Sequence, residues 1–211
     1  MAPASSFEFF YFELHGLGLP SRIILSLSGF NWSNKYPKNW SEEKPTTPFG
    51  KLPVLTEHRA DGSKFVLAES SAINRYLARK ANLHGDNEEE AAVIDQFASN
   101  WIDLLFKGRP ARNLKDSNPE QYNVEYPKYL DTELKPALNK HEEYLTNSAS
   151  GYYVGDKLSL ADIIALVAVT HINDHNVEIT EESYPHIYKL YQKVSALEAV
   201  EAELTRFSQK K

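Results

Sequence analysis

The chain has 211 residues, of which 42% are hydrophobic and 25% charged, so it is long enough for one large or two small globular domains. The formal net charge of -6, with both signs scattered, argues against nucleic-acid binding because no basic stripe is present to neutralise phosphates. No apolar run approaches the ~20 residues of a membrane span, and the N-terminal sequence lacks the features of a signal peptide. We therefore expect a cytoplasmic protein that binds neither nucleic acid nor membranes.

The sequence contains no cysteine, which excludes disulfides, thiolate metal sites and a thiol nucleophile carried by the chain itself. Any sulfur chemistry must therefore use a thiol that a ligand brings. His171 and His175 are four residues apart on a predicted helix, but the glutamate of a zinc-hydrolase motif does not accompany them. We predict a solvated helix end at this position and no metal site.

The first part of the chain, residues 7–83, alternates short β-rich runs with helical ones. The aromatic run Phe7 to Phe12 predicts a buried strand, and Pro20 opens a helix with an apolar stripe. Residues 33–50 follow as an irregular stretch. The predicted order is strand, helix, possible strand, strand, strand, helix.

A β-hairpin is predicted from the run Val54 to Thr56, a turn at Asp61 to Ser63 and the run Lys64 to Leu67. Pro53, directly before the hairpin, cannot supply a ladder N–H and therefore belongs at the start of a strand or in a tight connection. A cis peptide bond is an option at such a proline. This arrangement leaves backbone groups of Leu52 free to bind a peptide-like ligand.

Ser70 and Ser71 precede a run of residues whose apolar side chains have helical spacing. The unpaired N–H groups at a helix start, together with the positive end of the helix dipole, favour an anion. A plain helix cap is the commoner use of serine at such a position, and the two roles are compatible. The sequence therefore predicts an anion-binding helix start.

The strand pattern ends near Glu88, and the rest of the chain has helical periodicity. Apolar residues recur every three or four positions from Ile94 to Leu105 and again, after Pro127, from Leu130 to Leu145. This pattern predicts a helical bundle. The polar, turn-prone stretch Ala81 to Asn87 has the composition of a short linker.

Ser159 and Asp162 have the spacing of a capping box, with an aspartate in the usual glutamate position. The apolar run Ile163 to Val169 follows directly and predicts a central buried helix. The role of this capping box is structural.

These motifs, in this order, resemble the cytosolic glutathione transferases over nearly the whole chain, including Tyr184 to Ile187, which looks like the family's penultimate helix. The resemblance implies an α/β thioredoxin-like N-terminal domain, residues 1–83, and an all-α C-terminal domain, residues 84–211. It also implies glutathione as co-substrate, no metal, a homodimer and a role in detoxification.

Within that family, Tyr11 followed by Gly16 and Arg22 resembles the tyrosine-type classes. Gly18 stands where the serine-type classes have their serine, and the lack of cysteine excludes the cysteine-type classes. Five further residues have the spacing of the sigma class, which includes prostaglandin isomerases and invertebrate detoxification enzymes: Trp40, Lys44, Pro48, Lys51 and Pro53. We therefore favour a sigma-like member.

The resemblance implies that Tyr11 is the catalytic residue, which stabilises the glutathione thiolate with its hydroxyl. The residues implied to bind glutathione are Trp40, Lys44, Lys51, Leu52, Pro53, Glu69, Ser70 and Asp103, the last acting across the dimer interface. The residues implied to line the electrophile pocket are Phe106, Arg109 and Phe207.

Each of these roles has a structural alternative that the sequence leaves open. Tyr11 is also typical of a core strand aromatic, and Trp40 of a hydrophobic loop anchor. Lys44 and Asp103 are equally typical of solvated surface charges. These alternatives concern single residues, whereas the resemblance depends on several motifs in order.

The loop after Tyr11 departs from the family pattern, because His15 and Leu17 occupy the places where arginines are common. An arginine contribution to thiolate stabilisation is therefore not expected from this loop. The expected function is conjugation of glutathione to hydrophobic electrophiles. The alternatives are a glutathione-dependent isomerase or peroxidase, and a non-catalytic binding or structural protein with the same fold.

Overall fold

The computed structural model describes residues 5–175 and 177–207, which divide into two compact units. The first unit comprises the described residues up to His84 and those from Ser195 onward, and the second runs from Gly85 to Val194. The expected boundary after residue 83 lies at the same connection. However, the residues from Ser195 onward, which the sequence assigned to the helical domain, lie in the first unit.

A four-stranded mixed sheet forms the centre of the first unit in the described part of the chain. Its strands are β1 (Ser6–Phe10), β2 (Asn31–Lys35), β3 (Val54–His58) and β4 (Lys64–Ala68), in the order β2-β1-β3-β4. β1 pairs with β2 in parallel, whereas the pairs β1–β3 and β3–β4 are antiparallel. The predicted hairpin is β3–β4.

The helices of the first unit are α1 (Leu19–Leu27), α2 (Trp40–Glu43), α3 (Ser70–Lys80) and α9 (Glu198–Thr205). Pro20 lies in the first turn of α1, where no intrahelical N–H bond is required. Buried Ser21 and Asn74 join α1 to α3 through an Oγ–Oδ1 hydrogen bond of 2.6 Å. α9 packs on α1, where Ser26 Oγ donates to Glu203 Oε1 at 2.7 Å. This contact explains why the C-terminal helix belongs to the first unit.

Two local predictions for this unit were wrong. β1 ends at Phe10 and not at Phe12, although the Tyr11 N–H still donates to Lys35 O at 3.1 Å. The stretch 33–50, predicted to be irregular, contains all of α2 and most of β2, and β2 takes the place of the possible strand in the predicted order. β2 has the sequence Asn-Trp-Ser-Asn-Lys, which lacks β-branched residues, so its pairing with β1 and not its own propensity makes it a strand.

The second unit is helical, as the periodicity predicted. It contains α4 (Glu88–Ser117), α5 (Pro119–Tyr129), a π-helical turn (Leu130–Leu134), α6 (Lys135–Thr146), α7 (Leu160–Asn173) and α8 (Pro185–Ser195) except for its last residue. The helix expected after Pro127 begins earlier, at Pro119, and Pro127 lies inside it. The capping box at the start of α7 is confirmed, since Ser159 and Asp162 make both reciprocal bonds. None of the described helices combines the length and apolarity that a membrane span needs.

A directed chain of hydrogen bonds crosses the core of the second unit. Trp101 Nε1 donates to Tyr153 Oη at 3.0 Å, and Tyr153 Oη lies 2.9 Å from His141 Nδ1. His141 Nε2 faces the amide oxygen of Asn100, which only accepts, so the neutral ring carries its proton on Nε2 and its Nδ1 accepts from the Tyr153 hydroxyl. His141 Nε2 then lies 2.9 Å from Asn100 Oδ1. Burial lowers the pKa of His141 to about 4.

We expect this histidine to make the protein acid-sensitive. Its pKa is about 4 in the folded state and about 6.5 in the unfolded chain. Between these two pKa values the unfolded chain therefore binds a proton that the folded protein does not bind. The free energy of unfolding decreases as the pH falls through this window, by about 3 kcal/mol for a fully buried histidine. His141→Gln removes the titration. Urea unfolding at several pH values should show a flatter pH dependence in His141→Gln, with His58→Gln as control; equal slopes would contradict the assignment.

Candidate functional site

The register of three neighbouring strands brings predicted site residues to one end of the sheet. Phe10, the last residue of β1, pairs with Val54, the first residue of β3, and Val54 pairs with the last residue of β4. The next residue beyond each of these ends is Tyr11, Pro53 or Glu69. Neighbouring strands lie about 5 Å apart. Groups on three strands can therefore contact one ligand of tripeptide size.

The connection into β3 has the geometry expected of it. The Leu52–Pro53 peptide bond is cis, as the sequence suggested, and Pro53 is buried while Leu52 is half-buried. β3 begins one residue later, at Val54, so the backbone groups of Leu52 precede the strand. They are placed to pair with an extended ligand, as an added strand would.

The start of α3 differs from a plain serine cap. The N-cap residue is Glu69, at φ 70° and ψ 115°, and Ser70 is the first helical residue. A non-glycine residue with such a φ costs of order 1–3 kcal/mol, and strain of this kind is concentrated at ligand sites. The first intrahelical bond runs from Ile73 N to Glu69 O at 2.9 Å. The N–H groups of residues 70–72 therefore precede that bond and are directed out of the helix end.

Tyr11 is 7% exposed, and its hydroxyl oxygen accepts a hydrogen bond from Leu17 N–H at 3.1 Å. Two glycines make room for its ring. A Cβ on Gly18 would lie 2.5 Å from Tyr11 Cδ1, and one on Gly16 would lie 2.8 Å from its oxygen. The hydroxyl oxygen accepts from a backbone donor, and a tyrosine hydroxyl also has a proton of its own to donate.

Arg22 organises the loop that follows Tyr11. Its Nη1 and Nη2 donate to Leu14 O at 2.7 Å and Phe12 O at 2.9 Å, and its Nε donates to Asn34 Oδ1 at 2.9 Å. The guanidinium carbon lies 5.7 Å from the centroid of the Tyr11 ring. Burial lowers the pKa of Arg22, but arginine stays cationic at neutral pH.

Sequence reasoning used Arg22 only as a spacing marker and missed this role. The signal that could have found it is a charged residue inside the apolar stripe of α1. Arg22 is directly followed by Ile23 and Ile24, all three being fully buried. A charge in such a position requires partners on neighbouring segments.

The predicted binding residues of the α2 loop lie on the surface of the first unit. The Trp40 ring is half-buried and packs edge-on against Phe12 at 5.5 Å between centroids. The carbon chain of Lys44 lies over Gly50, where a Cβ would be 3.7 Å from Lys44 Cε. Lys44 therefore lies against the residue that precedes Lys51, and both lysines are exposed. The loop therefore carries two cations and an indole N–H.

The remaining predicted residues lie in different units. Asp103, Phe106 and Arg109 are exposed on α4 of the second unit, with a spacing of three that places them along one side of the helix. Phe207 lies in the first unit, with its ring 5.3 Å from the His15 ring and 5.0 Å from the Arg22 guanidinium carbon.

The described residues contain no group of three or more side chains suited to hold a metal ion. The predicted solvated pair is half-buried: the rings of His171 and His175 lie 4.4 Å apart, and His175 Nδ1 bonds His171 O at 2.7 Å. Burial, with help from the Arg112 charge, lowers the pKa of His171 to about 4. The pair is thus packed against the protein and is not the solvated helix end that was expected.

Two family models match the chain: the glutathione S-transferase N-terminal domain over residues 28–79 and the C-terminal domain over residues 109–204. Glutathione S-transferase 1 of Ascaris suum is 35% identical over 160 residues, which cover 73% of this chain and 74% of that protein. Probable glutathione S-transferase 7 of Caenorhabditis elegans is 33% identical over 194 residues, covering 87% and 88%. A solved structure of prostaglandin synthase D of Nilaparvata lugens has a TM-score of 0.77 at 28% identity, covering 99% of this chain and 98% of that one.

Proposed function

The chain belongs to the glutathione S-transferase family, and we propose that it joins the glutathione thiolate to hydrophobic electrophiles. It has the fold of that family, with a mixed sheet and helices followed by a helical second part. The observation that carries the proposal is the strand register, which aligns Tyr11, Pro53 and the start of α3 at one end of the sheet.

The groups at this end complement the polar ends of glutathione. The γ-glutamyl carboxylate fits the N-terminus of α3, where the Ser70 hydroxyl and the first N–H groups can donate to it. The carboxylate of Glu69 suits the neighbouring ammonium by charge. The backbone of Leu52 pairs with the cysteinyl unit, which directs the sulfur toward Tyr11.

The glycyl carboxylate would bind the loop of α2. Lys44 and Lys51 provide two positive charges, and Trp40 provides an N–H donor. This local cluster matters because the whole chain has a formal charge of -6. The loop thus supplies the positive charge that a dianionic peptide requires.

Tyr11 would act on the sulfur. A free thiol with a pKa of about 8.5 is mostly protonated at neutral pH, whereas the thiolate is the nucleophile. The Tyr11 hydroxyl oxygen accepts from Leu17 N–H, and its proton would be donated to the thiolate, which lowers the thiol pKa. Leu17 therefore contributes through its backbone, although its side chain is not the arginine common at this place.

We also propose a tyrosine-type, sigma-like transferase that acts as a homodimer in cytoplasmic detoxification. The spacing of Trp40, Lys44 and Lys51 supports the class. In the dimer, Asp103 of one subunit would bind the γ-glutamyl ammonium in the other, and contact with the electrophile stays a prediction for Phe106, Arg109 and Phe207. Analytical ultracentrifugation at several concentrations tests the dimer; a monomer at every concentration would contradict it.

A second candidate is glutathione-dependent isomerisation, favoured by the similarity to the solved prostaglandin synthase D. The same thiolate would attack the substrate, but glutathione would be released unchanged. The test is a panel of electrophiles and endoperoxides with quantification of free glutathione. Conjugation consumes glutathione in proportion to product and isomerisation does not. Failure to turn over any substrate or to bind immobilised glutathione would contradict both.

Ser70→Ala is expected to raise the KM for glutathione by about 10-fold, since one hydrogen bond to a charged group is lost. Turnover at saturating glutathione should stay within about threefold, because the hydroxyl is remote from the sulfur. Steady-state kinetics with varied glutathione measure both. Ser63→Ala, in the exposed turn between β3 and β4, is the control. An unchanged KM in Ser70→Ala would remove Ser70 from the site.

A further inference from the structure

We infer that His15 is a positioning residue, through which helix α9 holds the loop whose Leu17 N–H binds the Tyr11 hydroxyl. The inference rests on the proposed role of Tyr11 as the donor to the thiolate. It adds a group that does not touch the sulfur. All the residues concerned lie in the first unit.

His15 occupies the point where this loop becomes helix. Its carbonyl oxygen accepts from the N–H groups of Gly18 and Leu19, both at 3.0 Å, and so starts the turn that leads into α1. Leu17 lies inside this turn, and its N–H donates to Tyr11 Oη at 3.1 Å. A displacement of His15 therefore moves the donor that orients the tyrosine hydroxyl.

The side chain of His15 reaches the other end of the chain. Its Nε2 lies 3.0 Å from the carbonyl oxygen of Leu204, 189 positions away, in α9. A carbonyl oxygen only accepts, so Nε2 is the donor, as it is in both the Nε2–H tautomer and the protonated ring. The Phe207 ring lies edge-on to the imidazole at 5.3 Å between centroids.

α9 is itself held on the first unit, so this contact is an anchor. Glu203 is buried and accepts from Ser26 of α1 at 2.7 Å. It also binds Arg206 through two hydrogen bonds of 2.7 and 2.6 Å. The Leu204 carbonyl therefore belongs to a fixed helix, and the hydrogen bond from His15 transmits that position to the loop.

The loop after Tyr11 is held by hydrogen bonds from two sides. Arg22 holds the carbonyl groups of Phe12 and Leu14 from the inside, whereas His15 holds the following turn from α9. Without the second restraint the segment around Gly16, which has a φ of 39°, is free to shift. Misplacement of a catalytic group by about 1 Å can cost up to about 100-fold in rate.

The test compares His15→Phe, which keeps a ring against Phe207 but has no donor, with His15→Gln, whose amide N–H can replace Nε2–H. In His15→Phe we expect the pH midpoint for thiolate formation by bound glutathione to rise by about one unit and kcat to fall by about 10-fold. The KM of His15→Phe for glutathione should stay within about twofold of the native value. In His15→Gln, kcat and KM should stay within about threefold of the native values and the thiolate midpoint within about 0.5 unit.

Two further measurements exclude a merely structural role. In a Tyr11→Phe background the hydroxyl is absent, so His15→Phe should cause no further loss of kcat. Phe207→Leu should also raise the thiolate midpoint, by a smaller amount than His15→Phe. The midpoint is measured without electrophile, so this variant tests the inference even if His15→Phe does not fold.

The inference is overturned if His15→Phe and Phe207→Leu keep the native thiolate midpoint, if His15→Gln loses as much as His15→Phe, or if the loss is the same with and without Tyr11. If the proposed role of Tyr11 is wrong, Tyr11→Phe itself leaves the thiolate midpoint of bound glutathione unchanged. The two failures are therefore distinguishable.

Discussion

Tyr11→Phe is expected to lower turnover at saturating glutathione by about 10- to 1000-fold, since a preorganised donor to a developing or existing anion is lost. The phenylalanine ring fills the same space between Gly16 and Gly18, so the change removes only the hydroxyl. The KM for glutathione should change little, because the peptide is held by other groups.

The measurement is the thiolate absorbance of bound glutathione as a function of pH, combined with kcat. In the native protein the thiolate should form at neutral pH, and in Tyr11→Phe its midpoint should move toward the value of about 8.5 for a free thiol. Tyr191→Phe, in α8 of the second unit, is the matched loss of a hydroxyl. Equal activity and equal midpoints in native protein and Tyr11→Phe would show that another group stabilises the sulfur.

Arg22→Leu is expected to cause the largest loss of stability among the changes considered. The fully buried guanidinium donates to Phe12 O, Leu14 O and Asn34 Oδ1, so its removal breaks three hydrogen bonds to a charged donor, although Phe12 O still accepts from the Leu14 N–H at 2.8 Å. A hydrogen bond to a charged group contributes about 1.5–3 kcal/mol, and with three such bonds lost we expect the free energy of unfolding to fall by about 3 kcal/mol at least.

Urea unfolding measures this loss, and kcat at a temperature well below the transition measures the effect on the loop after Tyr11. Arg22→Lys is the matched control, because it keeps the charge and the carbon chain but loses the planar fork. Its destabilisation should be smaller than that of Arg22→Leu. If both variants are as stable as the native protein, the buried bonds do not hold the loop.

The predictable parts of the fold depend on short-range patterns. β1, the β3–β4 hairpin and α3 follow from alternating or periodic apolar residues with turn residues between them. β2 was predicted only as a possible strand, because Trp32 is the one residue of Asn31 to Lys35 that favours a strand and the segment becomes one by pairing with β1. The early start of α5 at Pro119 shows the same limit for helix boundaries.

The residue types of the site were readable from the chain, since the absence of cysteine and the order of Tyr11, Pro53 and Ser70 pointed to a thiol brought by a ligand. Their proximity is a matter of strand register, which no local pattern specifies. The bonds that hold the loop after Tyr11 could not be predicted either, because Arg22 bonds carbonyls eight and ten residues away and His15 bonds a carbonyl 189 residues away. Propensity and periodicity act over a few residues, whereas these hydrogen bonds join segments that meet only when the sheet and α9 have packed.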